Sequence, residues 1–129
     1  MLALALGGFV GNFALSVLDH AQNGFFHPTE WIPVAAAAFA IGCLVVFLAM
    51  PGAIPRRVGF AMMAAQVAVG LAGFVLHVTA DLRASAVAPL DRFVFGAPPF
   101  APMLFADLAV LAALGLWAVA PAPSVEDPT

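Results

Sequence analysis

Apolar residues run along this chain in four long stretches, and polar residues collect between the stretches rather than alternating within them. The stretches cover 2–19, 32–50, 58–80 and 101–120. Each holds close to the roughly 20 residues that a helix rising 1.5 Å per residue needs to cross about 30 Å of hydrocarbon. A backbone surrounded by lipid has to satisfy its own hydrogen bonds, which selects helices over open strands. The punctuation agrees. Asn23-Gly24 breaks the first stretch, and Pro28 and Pro33 bracket the start of the second. Pro51-Gly52 stops the second stretch, Pro55 precedes the third, and Pro98, Pro99 and Pro102 lead into the fourth. Trp31 and Trp117 stand near helix ends, where indoles favour the lipid–water boundary. The expectation is an all-α, integral membrane, up-down-up-down four-helix bundle forming one domain over 1–120, with a disordered polar tail at 121–129.

Composition supports a lipid environment. Of 129 residues, 64% are hydrophobic and 9% charged, with no Tyr and no Lys. Soluble domains carry about a quarter charged residues. No basic run is present, so no nucleic-acid partner is expected. The lone Cys43 excludes a disulfide framework within one chain. Ser16 and Ser85 sit in no nucleophile motif, and no phosphate-cradling loop appears. The first stretch lacks a basic leader and a small-residue cleavage pattern, and is expected to remain as a helix.

Four crossings put both termini and the short link "PGAIPR" at one end, and the loops 20–31 and 81–100 at the other. Arg56 and Arg57 in the short link favour a cytoplasmic position for that end. Arg83 and Arg92 of the long loop have Asp81 and Asp91 beside them. The expected location is a bacterial inner membrane, with both termini cytoplasmic and the long loop facing the periplasm.

This topology gathers the candidate chemistry at the outer end. His20 and His27 border the first loop, and His77 lies near the end of the third helix. Asp19, Glu30, Asp81 and Asp91 share that end, and Asp107 enters the fourth helix from it. Two helical stripes point toward the same place: Gly8, Asn12, Ser16 and His20, and Gln66, Gly70, Gly73, His77 and Asp81. Small residues let helices approach closely in lipid and polar ones bond across the contact, so these stripes are expected to pack on each other. His77 and Asp107, both ionisable and inside their spans, are expected to pair, with an interfacial Asp107 as the alternative if the fourth helix begins later.

Imidazole nitrogens with a carboxylate suit a transition metal such as Zn, Cu or Fe. The candidate ligands are His20, His27 and His77, completed or oriented by Asp81, Glu30 or Asp107. A haem or chlorin on His77, lying against Gly70 and Gly73, is a variant. Phe93, Phe95 and Phe100 are expected to anchor the long loop at the interface. The leading expectation is a small membrane protein that binds a metal ion or metal cofactor at its outer end, as an accessory subunit of a larger complex. Two alternatives differ in class. One is a non-catalytic assembly subunit packing through Gly/Ala-rich helix faces against partner subunits or further copies of itself. The other is a bundle conducting protons or small solutes along the seam from Asn12 and Gln66 to Asp107.

Overall fold

The computed structural model describes residues 1–22, 24–83, 91 and 99–119. The regular structure of the described residues is helical: α1 (Leu2–Gln22), a 3-10 turn (Pro28–Glu30), α2 (Trp31–Ala49), α3 (Ala53–Arg83) and α4 (Met103–Ala118). Phe93, Phe95, Ser85, Arg92 and the tail 121–129 lie outside the described residues.

Helix ends differ from the sequence expectation for local reasons. α1 continues past Asp19 to Gln22 and closes with a paired backbone motif. The N–H of Phe25 donates to the His20 carbonyl at 3.1 Å and that of Gly24 to the Ala21 carbonyl at 3.0 Å. Gly24 holds φ +71°, the left-handed position that glycine takes without a Cβ penalty at such a helix end. α3 begins at Ala53, not Val58, because Pro55 falls in its first turn, where a missing N–H and a fixed φ cost nothing. The link between α2 and α3 thus shrinks to Met50, Pro51 and Gly52. α4 is shorter than expected, 16 residues. Residues 100–105 begin it with tight i→i+3 bonds, from Met103 N–H to Phe100 O, Leu104 N–H to Ala101 O and Phe105 N–H to Pro102 O. Among the described residues three helices are long and apolar enough to cross a membrane, and α4 falls short of them.

The helices pack in a closed ring: α1 on α2, α2 on α3, α3 on α4, and α4 back on α1. Glycines set the register. A Cβ on Gly59 would lie 2.9 Å from Leu116, and one on Gly70 would lie 2.9 Å from the Pro102 carbonyl and 3.0 Å from the Ala106 nitrogen. Rising position on α3 meets falling position on α4, so the two run antiparallel. Gly8 against Leu108 and Gly115 against Leu2 make α4 antiparallel to α1 as well. The start of α1, the start of α3 and the end of α4 therefore meet at one end, called here the terminal end. Arg56 helps close it by donating to the Val119 carbonyl at 3.3 Å. The opposite rim, where α1 ends and the 3-10 turn leads into α2, is the histidine end. Phe9, Leu44, Met63 and Leu116 fill the middle of the ring, each buried. Outward faces remain apolar: Leu4, Phe39, Val75 and Val110 are all exposed.

Candidate functional site

At the histidine end the motif closing α1 turns the chain back so that the 3-10 turn lies over His20. Phe25 follows Gly24 in the left-handed region, at φ +50°. Its ring stacks on Trp31 at 4.1 Å, nearly parallel, and sits 6.0 Å from the His20 ring. The stack carries Glu30 inward. Glu30 Oε2 is buried and accepts no hydrogen bond, and His20 Nδ1 stands 3.7 Å from it. That distance is ion-pair range, slightly longer than a hydrogen bond. The result is an imidazole and a carboxylate facing each other at the end of the bundle, with the Phe25–Trp31 stack beside the imidazole. The sequence reading named His20 and Glu30 but missed Phe25. Its only signal was its place directly after a helix-stopping glycine.

His27 is occupied elsewhere. It holds extended backbone before Pro28 and caps the 3-10 turn. Its Nδ1 accepts from the Thr29 N–H at 3.4 Å and lies 2.8 Å from the Thr29 hydroxyl. An accepting Nδ1 leaves the ring proton on Nε2. The side chain is exposed, and this capping role accounts for its position without a ligand.

His77 and Asp81 share the inner face of α3, His77 half-buried and Asp81 buried. Asp107 does not join them. Since Gly70 meets Ala106, Asp107 is level with about residue 69 of α3, some 12 Å below His77 at 1.5 Å per residue. It also points outward and is exposed. The expected His77–Asp107 pairing is thus not formed, because α4 slides toward the terminal end and turns Asp107 away from the core. Asp19 and Asp91 are exposed as well.

The two polar stripes do face inward: Asn12, Ser16, Gln66 and Gly70 are buried. They pack mainly on α4 and α2 rather than on each other, because the ring order makes α1 and α3 diagonal. Gln66 Nε2 donates to the Ala36 carbonyl on α2 at 2.8 Å and lies 3.3 Å from Met62 Sδ. Gln66 Oε1 and Asn12 Nδ2 are buried with no hydrogen bond. Gly70 and Gly73 present no open slot to a flat ring. Pro102, just before α4, and Ala106 of α4 cover them, and a Cβ on Gly73 would lie 2.7 Å from Pro102 Cβ.

Among the described residues no three His, Cys, Asp or Glu side chains gather into a group that could hold a metal ion. Those residues include every His, Cys, Asp and Glu of the chain except Glu126 and Asp127. His20 and Glu30 come together as a pair; His27, His77, Asp81 and Asp107 do not complete a ligand set with them. No family model, no curated protein and no solved structure matches this chain.

Proposed function

We propose that the chain is an integral membrane protein whose four helices cross the bilayer as an up-down-up-down bundle, and that its histidine end carries a cation-binding centre built on His20 and Glu30. The outward apolar faces on all four helices support the lipid environment. α4, about 24 Å long at 1.5 Å per residue, is accommodated by local thinning of the bilayer at modest cost. Arg56 and Arg57 support a cytoplasmic terminal end in a bacterial inner membrane. The observation that carries the functional reading is the buried, unbonded Glu30 oxygen 3.7 Å from the His20 ring.

A proton is the simplest cation for this pair, since an imidazolium beside the carboxylate satisfies both partners. A transition-metal ion would use the same nitrogen and oxygen. Zinc sites take three or four protein ligands, so that form draws its remaining donors from a second copy or a partner subunit. Cobalt(II) titration of the purified protein separates the two forms. A visible d–d band lost in His20→Ala and Glu30→Gln, yet kept in His77→Ala, supports the metal form. With no band, the proton form stands if the His20 ring ¹⁵N shifts change in Glu30→Gln. Unchanged shifts and no band remove the centre altogether.

A second reading, assembly within a larger membrane complex, is favoured by α1. Ala3, Gly7 and Gly11 form an exposed stripe at four-residue spacing, and a Cβ at Gly7 or Gly11 would meet nothing within 4 Å. Such a face admits a neighbouring helix at close range.

A further inference from the structure

Two amides in the bundle interior each keep one polar atom that no described residue bonds. Asn12 of α1 is 4% exposed and Gln66 of α3 is 1% exposed. Asn12 Nδ2 is a buried donor without an acceptor, and Gln66 Oε1 is a buried acceptor without a donor. The other polar atom of Gln66, Nε2, is taken by the Ala36 carbonyl of α2. Leaving a buried amide atom unbonded is costly, and folded interiors bond nearly all of them, to protein or to water.

α1 and α3 are diagonal in the ring, and two routes around it give their relative level. Through α2, Gln66 meets Ala36 and His20 meets Glu30, so Gln66 is level with about residue 14 of α1. Through α4, Gly70 meets Ala106 and Gly8 meets Leu108, so Gln66 is level with about residue 6 of α1. Asn12 falls between these bounds. Neighbouring helices pack 8–10 Å apart, which sets diagonal axes about 11–14 Å apart. Two amides pointing inward from opposite corners span that gap to within about one water molecule.

The layers on either side are unlike. Phe9 lies three positions before Asn12 and Met63 three before Gln66, and with Leu44 and Leu116 they make a buried apolar plug toward the terminal end. Toward the histidine end, Ser16 continues the inward face of α1 at 8% exposure, and His20 stands at the rim with its side chain 20% exposed. Their four-residue spacing stacks Asn12, Ser16 and His20 one turn apart on one face.

We propose that the bundle carries a water inlet that opens at the histidine end and stops at a bound water shared by Asn12 and Gln66. The chemistry of the two atoms selects the ligand. One donates, one accepts, and neither is charged, so the ligand accepts one hydrogen bond, donates another and is neutral. A hard cation asks for six or more oxygens, and only one is offered here. The contacts at Gly8, Gly59 and Gly70 are tight, so the ligand is small. Water meets all of these terms. Its oxygen accepts from Asn12 Nδ2 and one of its hydrogens goes to Gln66 Oε1. The inlet depends on the helix ring alone, not on which cation His20 and Glu30 bind.

The test is magnetisation transfer from water in solid-state NMR, on the full chain in phosphatidylcholine vesicles. The probes are the side-chain amides of Asn12 and Gln66, above the plug, and the Met63 methyl group within it. Both amides should gain water polarisation, and the Met63 methyl should stay dry. In Asn12→Leu, a change of nearly equal volume, transfer to the Gln66 amide should fall severalfold. If that variant does not fold, Gln66→Met read at the Asn12 amide makes the same comparison. Two dry amides overturn the inlet. A Met63 methyl as wet as the amides also overturns it, because the interior is then open throughout. Unchanged transfer to the remaining amide in the variant overturns the shared water.

Discussion

Phe25 holds a backbone conformation that suits glycine, and it does so because its ring has somewhere to go. The left-handed φ of +50° costs an ordinary residue about 1 kcal/mol or more. Stacking on Trp31 at 4.1 Å returns roughly 0.5–1.5 kcal/mol. The two truncations of Phe25 should therefore rank against the usual order. Phe25→Ala keeps the strain and loses the stack, whereas Phe25→Gly loses the stack and sheds the strain. Thermal unfolding in mild detergent should find the glycine variant the more stable by about 1 kcal/mol. If alanine is as stable as glycine, the strained turn does not hold the Glu30 side of the pair in place. The sequence showed the helix stop at Asn23-Gly24 and the residues His20 and Glu30. It did not show the geometry between them, because that depends on which side of a left-handed turn a phenylalanine falls, and no periodicity encodes it.

Along each helix, glycines do two different jobs that look alike in the sequence. Gly70 is covered by backbone atoms at the entry to α4, the Pro102 carbonyl and the Ala106 nitrogen, which cannot swing aside. Gly7 faces open space. Gly70→Ala should cost about 1–3 kcal/mol of overpacking strain, and Gly7→Ala should be neutral or slightly stabilising in the isolated protein, as denaturant unfolding of the two variants would show. Similar losses at both positions would mean that the α3–α4 register is wrong. Helix existence and approximate length were legible because apolar runs of this length leave the backbone few options. The exact ends were not. Pro55 reads as a boundary in sequence, yet it sits comfortably in the first turn of α3. The stripes were legible as inward-facing, but not their partners, because a stripe says which side is buried and not which helix buries it.

For the whole molecule, ring closure decides what meets what. Closing α4 onto α1 makes α1 and α3 diagonal and places Asp107 on the outside, and these two facts together dissolve the expected cluster of three histidines and several acids. An even number of crossings only delivers groups to the same rim; it does not make them touch. Impermeant thiol labelling tests the topology directly. In a Cys43→Ser background, His27→Cys and Arg83→Cys should react from one side of sealed vesicles and Arg57→Cys only from the other. Labelling of position 27 and position 57 from the same side would contradict the proposed crossings.

Gln66 bears on a difficulty common to chains built largely from Ala, Leu, Val and Gly. Such helices slide past one another with little change in energy, so many alignments compete. The bond from Gln66 to the Ala36 carbonyl forms only where a carbonyl of α2 faces the amide, about once per helical turn. In the alignments between, the amide donor is left facing hydrocarbon, which costs far more than the bond itself contributes. A single amide thus does little to deepen the energy well and much to thin out its competitors.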